Sequence, residues 1–270
     1  MVLAVPSVPS TTRMDQLRAS TQAAHARIEA SLPLMSPSLT RETYLSLLEG
    51  FYGFHAPLEP ALLSTVLAND PVFAEDDRRK VPLLLADFSA LGKSAADVVA
   101  LPQCADLPCV TSPSRALGVL YVLEGATLGG RIIVRHLRET LALGPTSGAA
   151  FFDGYGDQTA SMWKRLCIHV DASMFLDTGE AVSAAVETFE KLLVWLAETS
   201  ARPAQTRSRG LSWEQAPHPE ATALAVDFAR PRRRSPRIAP EARPAWVCGC
   251  RSPIAARACG LPFVRRPSER

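Results

Sequence analysis

Several common architectures are excluded by what this sequence lacks. Six cysteines in 270 residues sit at 104, 109, 167, 248, 250 and 259 with no regular framework, so a disulfide scaffold is not expected and free thiols in a reducing cytoplasm are the default. None of the five histidines has a His or Cys partner three or four residues away, which removes zinc-type spacing. The N-terminus, MVLAVPSVPSTTR, has no basic start, and its short apolar stretch is broken by Pro6 and Pro9, so a secretory leader is not predicted. An uninterrupted apolar run of spanning length is also missing, and no membrane association is expected. Phosphate loops, dinucleotide fingerprints and nucleophile elbows do not occur. Aromatics make up only 7% of the chain, so a core must rest on Leu, Ala and Val, which the 47% hydrophobic content can supply.

Charge and proline divide the chain near Ser200. Residues 201–270 hold 14 Arg, no Lys and 5 acidic residues, a net of +9, against −7 for residues 1–200. Ten of the 22 prolines also lie in that tail, which predicts a disordered segment unable to bury enough apolar surface to order itself. Its basicity alone is a poor case for nucleic-acid binding, because no aromatics are interleaved at useful spacing. Residues 1–12 read as a disordered leader, and residues 13–200 as the folded domain.

Within 13–200 the pattern is helical. Leu17, Thr21, Ala24, Ile28 and Leu32 recur at spacings of three and four. A second helix is predicted from a Thr40 cap to His55, with Tyr44, Leu47, Leu48, Phe51 and Phe54 inward and Pro57 and Pro60 interrupting the chain beyond it. Others are expected over 76–92, 113–142, 157–173 and 178–199, the last with Asp177 and Glu180 arranged like a capping box and Val182, Val186, Phe189, Leu193 and Leu196 as its core face. No strand-like alternation is seen there. The fold class is all-α, a compact multi-helix bundle.

Two segments are candidates for chemistry. In LRASTQAAHARIE (17–29), small neighbours leave room for a flat group beside His25, and Glu29 one turn on suits the contact that orients a ligating imidazole. On its own, a histidine beside an apolar face reads more readily as structural, while Glu29 reads equally well as a solvated carboxylate. In GVLYVLEGATLGGRIIVRHL (118–137), Gly125, Gly129 and Gly130 crowd into six residues of a predicted helix, where each costs about 1 kcal/mol relative to Ala. They signal either close helix packing or a backbone that approaches a ligand where no side chain fits.

The LRxxTxxxHxxxE spacing of 17–29 resembles the proximal helix of heme oxygenases. YVLEGATLGG (121–130) resembles the distal-helix signature of the bacterial members, especially those associated with bacteriophytochromes, and FFDGYGDQTASMW (151–163) resembles the segment that follows it. The resemblance covers about residues 13–200. It implies a heme oxygenase bundle that opens heme with O2 to biliverdin, carbon monoxide and ferrous iron. Electrons would come from an external donor such as a ferredoxin or a reductase, and a bacteriophytochrome would receive the biliverdin. It further implies His25 as the axial iron ligand, Gly125, Gly129 and Gly130 as the bend over the heme, and Arg18, Lys164 and Arg165 as partners of the propionates. Where family members carry an Asp after the first distal glycine to hold a water, this chain has Ala126. That departure keeps a non-catalytic heme-binding or heme-sensing role open.

Overall fold

The computed structural model describes residues 11–67 and 77–201. The predicted leader and Arg-rich tail lie outside these residues, apart from positions 11, 12 and 201. Among the described residues there is no strand.

Nine helices can be traced there: α1 (Arg13–Ser31), α2 (Arg41–Leu62), α3 (Val81–Ala90), α4 (Ala95–Val99), α5 (Pro113–Gly125), α6 (Gly130–Leu141), α7 (Ala150–Asp153), α8 (Thr159–Ala172) and α9 (Thr178–Ser200). Their starts follow local chemistry. Thr12 and Asp15 close a capping box on α1, as Ser94 and Asp97 do on α4. Thr40 accepts from the Thr43 amide at the start of α2, and Ser112 caps α5 with Pro113 at the first helical position, where its missing N–H costs nothing. On α9 Asp177 caps the Glu180 amide, but the Glu180 carboxylate leaves the expected box and accepts from Ser112 Oγ at 2.5 Å, tying the start of α9 to that of α5.

Helix α9 is the central strut. It packs along α5, α1 and α2. Its buried face is Ala181, Ala184, Ala185, Thr188, Phe189, Leu192, Trp195 and Leu196, while the expected Val182, Val186 and Leu193 are only partly buried. The face is turned because small residues let α9 approach α5 closely: a Cβ on Gly118 would lie 2.1 Å from the Ala181 carbonyl oxygen. Gly118→Ala should therefore destabilise the fold by about 1–3 kcal/mol, as overpacking does, although Ala is the better helix former by about 1 kcal/mol. Urea unfolding with an unchanged or improved midpoint would show that the two helices can separate freely.

Two sequence boundaries move. Helix α2 runs through Pro57 and Pro60 to Leu62 and does not stop at His55. The Gly53 carbonyl, which Pro57 cannot serve, instead accepts from the Cys104 amide at 2.8 Å, so the missing helical bond is replaced from another segment. At the other boundary, the helix expected from 76 begins only at Val81, and residues 77–80 run outside any helix. The stretch Pro113–Leu141 is long and apolar enough on average to cross a membrane, but most of its 18-residue apolar window is buried.

Candidate functional site

The predicted helix 113–142 is interrupted. Helix α5 ends at Gly125, a 3-10 turn occupies Ala126–Gly129, and α6 starts at Gly130. The three glycines do different things there. Gly130 lets α6 meet α7: a Cβ on it would sit 1.9 Å from the Phe152 carbonyl oxygen, and it does not line the cavity described below. Gly125 has Trp163 at ordinary contact distance, 3.6 Å from its would-be Cβ. At Gly129 a Cβ would meet nothing within 4 Å.

Gly129 opens onto a cavity of about 600 Å³, within the usual range for small-molecule and cofactor sites. Helix α1 contributes His25, Ile28 and Glu29; α2 contributes Phe51 and His55; α5, the turn and α6 contribute Val122 to Ile133 in part; α7 contributes Phe151 and Phe152; α9 contributes Phe189 and Leu192. The lining is largely apolar. Its exceptions are two histidines, each with a glutamate one turn on, together with Lys80 and Thr127.

The two histidines differ in setting. The His25 side chain is about half exposed, with Nδ1 3.5 Å from Glu29 Oε2 and its ring edge-on to Phe189 at 5.7 Å. His55 is buried on α2, its ring edge-on to Phe151 at 5.5 Å and its Nδ1 3.7 Å from Glu59 Oε1, beyond hydrogen-bond reach. That Nδ1 has no hydrogen-bond partner.

Behind this wall lies a buried charge network that the sequence did not announce. Glu124, the residue before Gly125, is 1% exposed and takes Arg78 Nη1 at 2.6 Å on one oxygen and Lys80 Nζ at 2.8 Å on the other. The Tyr155 hydroxyl donates to the same Glu124 oxygen at 2.7 Å and accepts from Lys80 Nζ at 2.6 Å. The Glu59 carboxylate accepts from the Lys80 and Val81 amides at 2.6 and 3.0 Å, which caps the start of α3. Burial pushes the Lys80 ammonium below its ordinary pKa, with Glu124 pulling in the opposite direction. The segment RRK looks like a solvated charge run, yet Arg78 and Lys80 are both buried. One signal could have exposed it: a glutamate inside the apolar run YVLEG must be paired if buried, and His55–Glu59 repeats the spacing of His25–Glu29.

Asp87 on α3 accepts from the Ala150 and Phe151 amides at 2.6 and 2.9 Å and so fixes α7, which carries the cavity's two phenylalanines. Burial pushes its carboxyl up to about 6 against those two hydrogen bonds.

The cavity thus brings together His25, Gly125 and Gly129. Arg18, Lys164 and Arg165 are exposed on α1 and α8 and do not line it; Asp15 lies 3.5 Å from Arg18. Among the other histidines, His136 Nε2 lies 3.0 Å from the Ser36 carbonyl, and His218 falls outside the described residues.

Residues 12–198 match the family model described as heme oxygenase. The chain belongs to the heme oxygenase family. Within it, the chain is similar to a heme oxygenase of Xanthomonas campestris pv. campestris, 34% identical over 88 residues, 33% of this chain and 48% of that relative. The match therefore spans about half the length of that curated relative. Among solved structures, the heme oxygenase of Neisseria meningitidis, studied with NO and CO bound, is similar at a TM-score of 0.55 and 22% identity, covering 72% of this chain and 95% of that one. The heme oxygenase of the cyanobacterium Synechocystis, solved in complex with heme, matches at a TM-score of 0.56 and 15% identity over 69% and 91%. At such identities the likeness establishes the fold, an all-helical heme oxygenase bundle.

Proposed function

We propose that this chain binds heme in the 600 Å³ cavity and opens it with O2 to biliverdin, carbon monoxide and ferrous iron, using electrons from an external donor. The observation that carries the reading is the pairing of an accessible His25 on one wall with a turn, 126–129, whose Gly129 leaves space that any side chain would fill. The residues present fit a flat, mostly apolar group that His25 would hold through its metal. Heme, when bound, supplies the iron chemistry that activates oxygen, and it is also the molecule consumed.

The protein's part is positional. His25 would hold the iron through the ring nitrogen that Glu29 does not face, with the Glu29 carboxylate and the Phe189 edge fixing the ring plane. Ile28, Phe189 and Leu192 exclude water from one side of the group, and Phe51, Phe151 and the turn from another. The propionates would extend to solvent toward exposed cations, for which Arg18, Lys164 and Arg165 are the candidates. A ferredoxin or reductase as donor, a bacteriophytochrome as recipient of the product, and a cytoplasmic setting belong to the same proposal.

A second reading, heme binding without turnover, is favoured by one observation: the turn carries Ala126 and offers no carboxylate to the cavity. Heme-loaded protein with ascorbate or reduced ferredoxin separates the two. Loss of the Soret band with growth of biliverdin absorbance is expected; a stable ferrous–oxy spectrum would establish the second reading. Gly129→Leu provides a geometric check. It should weaken heme uptake at least tenfold or shift the ring-opening isomer, because the side chain enters the space for the guest, while leaving thermal stability equal or higher, since Leu is the better helix former. Normal uptake and an unchanged isomer pattern would show that the guest lies elsewhere.

A further inference from the structure

Lys80 has hydrogen-bonding capacity that its network leaves unspent. An ammonium carries three N–H donors. Two are used, toward Glu124 Oε1 at 2.8 Å and Tyr155 Oη at 2.6 Å, and the head group lies 4.1 Å from the centre of the same Tyr155 ring, which takes no oxygen- or nitrogen-directed hydrogen bond from it. The side chain is 3% exposed, so bulk water does not take the third, and the residue lines the cavity. Its position is fixed from both ends, by Glu59 at its backbone amide and by Glu124 and Tyr155 at its head group. The turn at 126–129 supplies no charged side chain, and its one hydroxyl, Thr127 Oγ1, is spent on the Glu124 carbonyl at 2.6 Å. A small polar molecule entering this largely apolar cavity would lose its hydration and would be stabilised by any donor already in place.

We propose that Lys80 is that donor: its third N–H binds a small polar or anionic guest in the cavity, a water or a monovalent anion such as fluoride or azide. The inference rests on the heme reading only for the guest's second partner, the iron.

The test uses full-length, heme-loaded protein at fixed pH and ionic strength, with fluoride and azide titrated against the Soret band and heme affinity measured in parallel. Lys80→Met, compared with wild type at equal heme loading, should bind both anions about ten- to a hundredfold more weakly, the loss of one charge-assisted hydrogen bond. Lys80→Arg, which retains a cation and spare donors, should stay within a few-fold of wild type. Equal anion affinity in wild type and Lys80→Met overturns the proposal. So does a loss found in His55→Phe in place of Lys80→Met, which would assign the donor to the neighbouring imidazole. If Lys80→Met does not fold, Lys80→Gln against Lys80→Arg decides: weaker binding in the former supports the assignment, equality overturns it. Failure of the wild-type protein to take up heme would remove this inference together with the proposed function, whereas uptake with anion affinity indifferent to Lys80 removes this one alone.

Discussion

His25→Ala is expected to lower heme affinity by at least a hundredfold, to abolish the native Soret band and to stop ring opening, with partial spectral recovery on adding imidazole. The expectation comes from chemistry and placement together. A neutral imidazole is a good axial ligand for heme iron, and His25 is accessible at the cavity with a carboxylate partner on its other nitrogen. The fold should barely respond: the side chain is half exposed and its contacts are an aromatic edge and a surface carboxylate, so the change in unfolding free energy should stay within about 0.5 kcal/mol, as for most surface substitutions. Titration of the variant with heme, followed by absorbance, checks both statements. Retention of the spectrum and turnover would move the ligand assignment to His55, the other histidine on the cavity.

Glu124→Ala should have the largest effect on stability, a loss of about 3–5 kcal/mol, because it removes the carboxylate that both buried cations contact directly. Urea unfolding measures it. The argument has a second arm: an ion cluster of this kind is not needed for stability as such, since well-packed apolar residues of similar volume often do as well or better. The triple variant Arg78→Leu, Lys80→Met, Glu124→Leu should thus recover most of what the single change loses. A triple variant as unstable as Glu124→Ala would show that Glu59, left without its neighbours, or the packing of residues 77–80 sets the cost.

These residues also mark the limit of what could be read from the chain. The all-helical class, the cap at Thr40, and the inward residues of α2 were legible because periodicity and capping are local. The break near Gly125 was legible as weakness, but its division of labour was not: Gly130 answers to the Phe152 carbonyl and Gly129 to an empty space, and both partners are set by tertiary packing. The rotation of α9 escaped because counting branched aliphatics favours Val182 and Val186, whereas the tightest contact selects alanines opposite a glycine. The continuation of α2 past Pro57 depended on a carbonyl partner fifty residues away in sequence. Arg78 and Lys80 were hidden by their company, since a basic run beside acidic residues reads as solvated until Glu124 is seen to face it. Among the expected site residues, His25, Gly125 and Gly129 share one cavity, while Arg18, Lys164 and Arg165 were drawn from similarity alone and stand outside its lining.

The interrupted helix carries a mechanical consequence. Its first half is anchored at the last turn by Glu124, and its second half is pinned at the first residue by the α7 backbone against Gly130. Between these fixed points lie four residues in a 3-10 turn, a geometry with poorer hydrogen bonds than the helices on either side, and Leu128 and Ala126 face solvent. Deformation of the whole 29-residue strut should concentrate there, as in a living hinge moulded thin between two rigid plates. Amide exchange should accordingly be fastest at 126–129 and slow on both flanks. All four residues of the flexing strip also line the cavity, so admission of a guest and its fit once inside are governed by the same four residues.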